Sequence, residues 1–321
     1  MMQRIFKLTS LTLSLTLLLS GCSASKGPQA DHKPATSACL MTTQSNIPGT
    51  PDKQLAADLV QAQVVYGIRV KEVAIPKYAD EMSRLLKALQ NGCVLMVSSD
   101  PSLLDSLSSF AKLHSKMMVL FVGSSIAEVD QAKNFRWIAD DISSGAKLAG
   151  YAVASLGGEV NLFIQENYFQ AKEIQTGFQA GVDYYNQQSN SSVKLVISVV
   201  SSKDNLTKKL QALVEPSVVA LFAGKSYWSA LDSTEHQVIG ADLQFGDTRE
   251  TLNSQLVGSL ERNTSLEVLR AVSSLLARKI SSLPSYRKNN ALKAGRILMK
   301  VNDGVAPGLA DYQSQLLQEL K

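Results

Sequence analysis

Two apolar runs in the first half of the chain establish the fold class: CVLMVS at Cys93–Ser98 and MMVLFV at 117–122. Neither run alternates between apolar and polar residues, so each predicts a strand that is buried on both faces. The segment between them predicts a helix, because Leu104, Leu107 and Phe110 recur at helical spacing. Buried strands joined by helices are typical of a parallel sheet that is covered by helices on both sides.

The same alternation of strand and helix extends from these runs towards both ends of the chain. It pauses near residue 140 and then starts again, which predicts an α/β protein with two successive Rossmann-like halves. Strands are predicted at 38–43, 68–75, 93–98, 117–122, 135–138, 160–164, 193–200, 218–222, 237–241, 256–260 and 297–301, and helices at 51–66, 80–90, 143–156, 171–187, 206–214, 266–280 and 309–320.

The N-terminus carries the pattern of an export signal. Arg4 and Lys7 precede an uncharged, largely apolar run at 8–20. This run is shorter than the roughly 20 apolar residues that a transmembrane helix needs, and it is typical of a secretory signal peptide. The sequence Leu-Ser-Gly-Cys that ends at Cys22 resembles the lipobox of bacterial lipoproteins. We therefore expect a signal peptide at 1–21 and lipidation of Cys22; the alternative is an ordinary signal with a chance cysteine.

Lipidation would place the protein at the cell membrane, on its extracytoplasmic side. A diacylglycerol thioether together with an N-acyl chain such as palmitate gives stable attachment, because anchoring needs more than one chain. Residues 23–37 are rich in Ser, Lys, Pro and Ala and almost lack apolar residues, so 22–37 is predicted to be a lipidated cysteine with a flexible tether.

Length and charge limit the domain number and the partners of the chain that follows the signal peptide. Removing 21 residues from 321 leaves 300, a length that suits two domains. The formal charge falls from +4 to +2 once Arg4 and Lys7 are removed, so no polyanion and no nucleic-acid partner is implied.

Cysteine and histidine patterns give no metal or cofactor signal. The spacing of Cys39 and Cys93 matches no zinc or redox motif. Both fall on neighbouring strands of the predicted sheet, where a disulfide is open to them in an oxidising compartment, but two buried free thiols are favoured. His32, His114 and His236 lie far apart in sequence and are expected at the surface or in loops.

Four segments in the second half resemble the basic membrane protein (BMP) family, whose members are PnrA-like lipoproteins of the type I periplasmic-binding fold. The segment 144–152 is similar to the G-x-LAGY-A helix of that family, and 177–182 to its GF-x-AG helix. The segment 238–242 resembles its V-I-G-V-D strand end, and 256–260 its return strand. The resemblance covers roughly residues 135 to 280.

The resemblance implies two lobes that are joined by three crossings of the chain, with a ligand held between them. It implies lobe 1 at 38–140 plus about 262–285, and lobe 2 at 141–261 plus about 286–321. For many members it implies a nucleoside-binding component of an ABC importer, with an ABC permease as partner. Some members that resemble Med, a regulatory lipoprotein of sporulating bacteria, are instead linked to gene regulation.

The chain departs from the family at two places. Importer members usually carry an aromatic residue in the loop after the first strand, whereas the loop here, at 44–49, has none. The family often has a second aspartate two residues after the position of Asp242, and Gln244 stands there instead. Both departures count against nucleoside specificity.

A ligand site is predicted beyond the carboxyl ends of the strands, where loops meet the N-termini of helices. Asp242 is the first candidate, because a carboxylate at a strand end can accept two hydrogen bonds from vicinal hydroxyls; a turn or helix cap is the alternative. Tyr227, Trp228, Tyr168 and Phe169 offer rings that could stack on a flat ligand or pack over the lobe. The polar candidates are Thr43, Gln44, Asn46, Ser98, Ser99, Ser124, Glu166, Asn167 and Lys225.

No catalytic motif is present in the sequence: it has no G-x-S-x-G elbow, and no histidine lies beside a nucleophile in a recognised pattern. The sequence therefore favours a binding protein over an enzyme. A solute-binding lipoprotein of an ABC importer is the first hypothesis, and a sensor or regulatory lipoprotein of the same fold is the second.

Overall fold

The computed structural model describes residues 36–43, 47–76, 80–123, 132–139, 142–214, 216–241, 255–279, 296–302 and 305–319. Residues Ala35–Lys321 form one compact unit. Two separate sheets lie in this unit, and each is covered by helices on both faces. Across the described residues, no helix combines the length and the apolar character needed to cross a bilayer.

Lobe 1 is the unit built on the first sheet. Its five strands are parallel and lie in the order β2-β1-β3-β4-β5. Helices α2 and α3 cover one face, while α1 and α7 cover the other. Its elements are β1 (Ser37–Thr43), α1 (Asp52–Tyr66), β2 (Arg69–Ile75), α2 (Glu81–Gln90), β3 (Cys93–Ser98), α3 (Leu104–Leu113), β4 (Met118–Gly123), β5 (Phe135–Ala139) and α7 (Ser265–Leu276).

Lobe 2 is the unit built on the second sheet, whose six strands lie in the order β11-β10-β9-β8-β6-β7. Five strands are parallel, and β11 runs antiparallel to β10 at one edge. Its elements are α4 (Ile142–Ala154), β6 (Glu159–Gln165), α5 (Ala171–Ser189), β7 (Lys194–Val200), α6 (Lys203–Gln211), β8 (Val218–Phe222), β9 (Gln237–Ala241), β10 (Leu256–Arg262), β11 (Ile297–Val301) and α8 (Leu309–Glu319).

Local sequence explains where these elements begin and end. Asp80 accepts hydrogen bonds from the backbone N–H groups of Met82 and Ser83, which caps α2. Gly67 follows α1 in the left-handed region at φ 65°, as a glycine that ends a helix commonly does. The predicted order of strands and helices is confirmed over the described residues; the antiparallel direction of β11 and the 3-10 helices at Pro101–Leu103 and Lys225–Ala230 are additions.

Over the described elements, the chain passes between the lobes three times, because α7 belongs to lobe 1 although its described neighbours in sequence, β10 and β11, belong to lobe 2. Asp58 of α1 fixes α7: its carboxylate accepts hydrogen bonds from the hydroxyls of Thr264 and Ser265 at the start of that helix. Gln54 donates to the same carboxylate at 2.7 Å. The lobe boundaries given above stay a prediction.

The expectation of two free thiols is wrong. Cys39 and Cys93 form a disulfide between the neighbouring strands β1 and β3, with a Cα–Cα distance of 5.7 Å. That distance lies within the range of disulfides. The two residues are not directly opposed, because Cys93 pairs with Ser37 and the register shifts by a bulge before Ala38.

His236 lies in a loop, as expected, but it is not at the surface. Its side chain is fully buried, and its Nδ1 accepts a hydrogen bond from the backbone N–H of Ser217 at 3.3 Å. The ring therefore links the segments that precede β8 and β9. The local sequence around His236 carries no signal of this burial.

Candidate functional site

The turn that follows β1 contacts the turn that follows β6. The backbone N–H of Phe169 donates a hydrogen bond to the carbonyl oxygen of Pro48 at 2.7 Å. Next to this bond, Gly49 lies so close to the ring of Tyr168 that an added Cβ atom would overlap it. Strands β1 and β6 are each the second strand from an edge of their sheet. Because each turn follows the carboxyl end of such an interior strand, the carboxyl edges of the two sheets face each other here.

The β6–α5 turn holds its two aromatic residues in a constrained backbone. Asn167 and Gln170 have φ values of 59° and 58°, a region that residues other than glycine rarely adopt. They flank Tyr168 and Phe169, whose side chains are both buried. The Tyr168 ring meets Phe222 edge-on at 6.2 Å, so it packs into the apolar core of lobe 2 while it contacts Gly49. Asn167 is exposed, as is Glu166.

The two candidate serines at the end of β3 are fully buried. Ser98 donates from its hydroxyl to the carbonyl oxygen of Met41 at 2.8 Å. Ser99 donates to the carboxylate of Asp52, whose other oxygen accepts from Thr50 at 3.0 Å. Both hydroxyl protons are thus used within lobe 1, where they join β3 to β1 and to the start of α1.

Asp100 organises the same edge of lobe 1. One carboxylate oxygen accepts from the backbone N–H and the hydroxyl of Thr43, and the other accepts from the backbone N–H of Ser102 at 3.0 Å and its hydroxyl at 2.7 Å. Burial alone would raise the pKa of Asp100, but the hydrogen bonds from Thr43 and Ser102 outweigh it and hold the pKa below its usual value. Asp100 therefore stays ionised and ties β1 to the segment after β3.

Sequence reasoning missed Asp100, because the residue indicates no more than the start of a helix. A usable signal is nevertheless present, since this aspartate before Pro101 follows the buried strand β3 in the sequence, much as Asp242 follows the residues of β9. The structure joins Asp100 to Thr43, which is one of the predicted site residues.

The three candidate site residues after β8 differ in burial. Tyr227 and Trp228 are buried in an apolar cluster with Leu206 and Leu210 of α6, and the indole N–H of Trp228 donates to the carbonyl oxygen of Ala223 at 3.2 Å. Both rings therefore pack inside lobe 2, which was the alternative to stacking on a ligand. Lys225 is exposed between β8 and these rings.

Several predicted site residues lie outside the described residues, namely Cys22, Gln44, Asn46, Ser124 and Asp242. Thr43, Ser98 and Ser99 converge at one edge of lobe 1, and Tyr168 and Phe169 meet the turn beside that edge. Among the described residues, no group of three or more His, Cys, Asp or Glu side chains is arranged to hold a metal ion.

No protein-family model matches the chain. No curated protein sequence matches it either.

Solved structures do match. A solute-binding protein of an ABC transporter system from Aeropyrum pernix K1 is 15% identical with a TM-score of 0.64, over 88% of this chain and 86% of that one. A second, from Conexibacter woesei DSM 14684, is 13% identical with a TM-score of 0.65, over 89% of this chain and 96% of that one. A transcriptional activator of the comK gene from Bacillus halodurans is 14% identical with a TM-score of 0.63, over 88% of this chain and 96% of that one.

The chain has the type I periplasmic-binding fold. The TM-scores of 0.63 to 0.65 establish the fold that these proteins share, whereas identities of 13 to 15% leave the ligand of this chain open. The same fold serves a transport component in two of these structures and a regulator in the third.

Proposed function

We propose that this chain is an extracytoplasmic solute-binding lipoprotein that holds a small polar ligand between its lobes and delivers it to an ABC permease. The observation that carries the proposal is the bond from Phe169 to Pro48, since it sets the carboxyl edges of two parallel sheets against each other. Ligands of open α/β sheets bind beyond those edges. The fold shared with two ABC solute-binding proteins supports the same role.

Two features support placement outside the cytoplasm. The lipobox-like sequence before Cys22 predicts lipidation and attachment to the membrane. The disulfide between Cys39 and Cys93 fits an oxidising compartment, because cytosolic reductants keep most protein thiols reduced. Intact-mass analysis of the protein from the native membrane tests this placement: a diacylated or triacylated N-terminal Cys22 is the expected result.

A nucleoside is the ligand that we propose to test first. The support is the resemblance of four segments to the BMP family, which includes Asp242 at its strand-end position. A carboxylate there would accept hydrogen bonds from the vicinal hydroxyls of a ribose. Sugars are the second ligand class to test, since a ligand with vicinal hydroxyls and no base would use the same carboxylate.

A thermal-shift screen of the chain from Ser23 onward tests the ligand class. The panel contains nucleosides, nucleobases, sugars and amino acids. A ligand at one hundred times its Kd stabilises the native state by about 2.7 kcal/mol. We expect a shift with a purine nucleoside that is lost in Asp242→Ala. A thermal shift with sugars alone would make a sugar the proposed ligand in place of a nucleoside. The absence of a thermal shift with every member of the panel would contradict transport.

Two matched glycine variants test the contact between the lobes. Gly49 and Gly67 both have positive φ, so alanine strains the backbone at either position. An added Cβ at Gly49 overlaps the Tyr168 ring, whereas nothing lies within 4 Å of one at Gly67. If ligand binding needs the lobes to meet at this turn, Gly49→Ala weakens binding of the hit from the screen and Gly67→Ala does not. Equal affinity in both variants would contradict a role for this contact.

A regulatory lipoprotein of the same fold is the second candidate function. The observation that favours it is the internal use of the Ser98 and Ser99 hydroxyls, which reduces the polar groups that lobe 1 offers to a ligand. Permease and ATPase genes beside the gene for this chain would favour transport, while their absence together with a flat ligand screen would favour regulation.

A further inference from the structure

The side of lobe 1 that lies opposite the ligand cleft is defined by its topology. All five strands are parallel, so they begin at one edge of the sheet, and helices α1, α2 and α3 end at that same edge. We name this surface the amino edge of lobe 1. It consists of the described segments 36–38, 64–70, 88–94, 111–118 and 132–135.

The amino edge of lobe 1 is basic. Its segments contain Arg69, Lys112, Lys116 and Lys133 and no Asp or Glu. Arg69, Lys116 and Lys133 each lie at or just before the start of a strand, and all four cations are exposed. Because Arg69, Lys116 and Lys133 add positive charge to one face and its described segments contribute no carboxylate, this surface attracts anions even though the whole protein is close to neutral.

The same edge exposes apolar side chains at the ends of two helices. Val64 is 81% exposed and Val65 57% at the end of α1, and Leu113 is 70% exposed at the end of α3. Tyr66, also at the end of α1, is 37% exposed. A tyrosine with an apolar body and a polar tip suits the boundary between water and a bilayer.

A shallow cavity of about 380 Å³ opens on the amino edge between the ends of α2 and α3. Leu89, Val94 and Leu113 give it apolar walls, and Lys116 and His114 also line it. An apolar floor beside a cation suits the chemistry of a lipid, in which an acyl chain adjoins an anionic headgroup.

The chain enters the described structure at this edge. The carbonyl oxygen of Thr36 accepts a hydrogen bond from the backbone N–H of Arg69, and the N–H of Ser37 donates to Gly92. Thirteen residues, 23–35, separate Thr36 from Cys22. Fully extended, such a segment spans about 45 Å, and as a coil it spans far less. A lipid on Cys22 therefore keeps the amino edge of lobe 1 within reach of the bilayer.

The corresponding edge of lobe 2 provides an internal comparison. The described stretches that lead into β6, β7, β8 and β9, together with the last turns of the helices before them, contain the acids Glu159, Asp232 and Glu235 and the cations Lys194, Lys208 and Lys209. Lys194 pairs with Glu159 at 3.1 Å. Exposed large apolar side chains are reduced there to Val214. Among the described residues, the edge of lobe 2 thus lacks the excess of cations and the apolar cluster found at the amino edge of lobe 1.

We propose that the amino edge of lobe 1 is a membrane-contact surface that binds anionic phospholipid headgroups, with Val64, Val65 and Leu113 entering the interface. This proposal rests on the lipid anchor proposed above, which would supply a high local concentration of bilayer. Contact through this edge holds lobe 1 on the membrane and leaves lobe 2 free to close.

Vesicle flotation of the unlipidated chain from Ser23 onward tests the surface apart from the anchor. This chain keeps all of the compact unit Ala35–Lys321. Binding to vesicles of phosphatidylglycerol and phosphatidylcholine (about 3:7) is expected to exceed binding to pure phosphatidylcholine at least about tenfold at low salt, and to weaken at high salt. Equal binding to both vesicles, or binding to neither, would overturn the proposal.

Charge variants locate the binding surface. Lys116→Gln with Lys133→Gln is expected to lower binding to anionic vesicles about tenfold or more, because each cation contributes to the attraction. Lys53→Gln with Lys172→Gln removes the same charge from positions at the starts of α1 and α5 and is expected to leave binding within about twofold. A similar loss of binding in both pairs would show that net charge alone drives vesicle binding, and it would contradict the proposal.

Tryptophan probes report orientation. Leu113→Trp lies on the amino edge, while Leu266→Trp lies at the start of α7 and is also exposed in the parent, at 52%. In full-length protein that also carries Trp137→Phe and Trp228→Phe and is reconstituted through its own anchor, brominated lipids should quench the first probe and not the second. Equal quenching of the two probes would contradict the orientation. Intact mass of Cys22 in the same sample reports the anchor independently, so failure of the anchor and failure of the surface are distinguishable.

Discussion

Lobe 1 and lobe 2 share one architecture and are held together by different means. Lobe 1 relies on side-chain links, which are the disulfide from Cys39 to Cys93 and the buried carboxylates of Asp58 and Asp100. Lobe 2 relies on close approach of backbones, since α4 and α5 meet through glycines. A covered parallel sheet thus fixes the layout of a lobe but leaves the means of stabilisation to particular residues.

The glycine contact of lobe 2 is tight on both sides. An added Cβ at Gly150 of α4 would overlap the carbonyl oxygen of Phe178, and one at Gly181 of α5 would overlap that of Lys147. The neighbouring atoms are backbone, which cannot move without displacing a helix. The two segments that resemble the G-x-LAGY-A and GF-x-AG helices are thus the two sides of one helix contact.

The two lobes can be measured separately, because the chain has two tryptophans and each lobe contains one. Trp137 packs in the core of lobe 1, and Trp228 packs in lobe 2. Trp228→Phe therefore leaves a reporter of lobe 1, and Trp137→Phe leaves a reporter of lobe 2. Unfolding of each reporter variant in urea gives a transition for one lobe.

The largest effect is expected from removal of the disulfide. The bond closes a loop over a sequence separation of 54. Cys39→Ala with Cys93→Ala should lower the free energy of unfolding of lobe 1 by about 4 kcal/mol, because the unfolded lobe regains chain entropy. The transition reported by Trp137 should move to lower urea and that reported by Trp228 should stay in place. Equal shifts of both transitions would remove the distinction between the lobes.

The next effect is expected in lobe 2 from Gly181→Ala. The new methyl group forces α5 away from α4, and the free energy of unfolding of lobe 2 should fall by about 3 kcal/mol. Gly224→Ala is the matched control, because its Cβ would meet only the end of the Gln165 side chain, at 3.3 Å. Urea unfolding followed through Trp228 measures both variants. A loss in the control as large as in Gly181→Ala would contradict the backbone contact as the cause.

A smaller effect is expected from Asp58→Ala. The substitution removes the acceptor shared by Gln54, Thr264 and Ser265, and the free energy of unfolding of lobe 1 should fall by about 2 kcal/mol. Hydrogen exchange of the backbone amides of α7 should rise above that of α2, since α7 loses its link to α1. Unchanged protection of α7 would show that the link is not needed to hold that helix in lobe 1.

The smallest effect is expected at Asp100 and depends on pH. A carboxyl group with a lowered folded pKa adds stability above its unfolded pKa of about 3.9, and this addition is lost as the pH falls through the folded pKa. Asp100→Asn should therefore lower the free energy of unfolding of lobe 1 by about 1 kcal/mol at pH 7 and by less below about pH 4. Urea titrations between acid and neutral pH, followed through Trp137, measure the difference. A difference that grows towards acid pH would reverse the assigned direction.

Much of the fold is predictable because local patterns of apolar residues indicate its strands and helices. The run at Cys93–Ser98 is a strand with the predicted bounds, and Val218–Phe222 and Gln237–Ala241 agree likewise. Each is largely apolar because its strand is covered by helices on both faces, so burial leaves its mark on consecutive residues. The antiparallel direction of β11 leaves no such mark, since its direction depends on how the chain returns from α7.

The candidate site is less predictable from the sequence. Strand ends can be located, which points to Thr43 and Ser98, but Asp100 indicates only a helix start. Whether a polar group at a strand end meets a ligand or its own lobe depends on neighbours far along the chain, as in the bond from Asp100 to Thr43 at a separation of 57. Such neighbours leave no local pattern.

Residue order alone is therefore sufficient to specify two doubly wound lobes, because strand and helix periodicities record burial residue by residue. Three outcomes needed the folded chain: Cys39 bonds to Cys93, Trp228 packs inward, and Tyr168 meets Gly49. These outcomes depend on strand register and on the free space between elements that are distant in sequence. Both quantities are fixed only when the elements pack against one another.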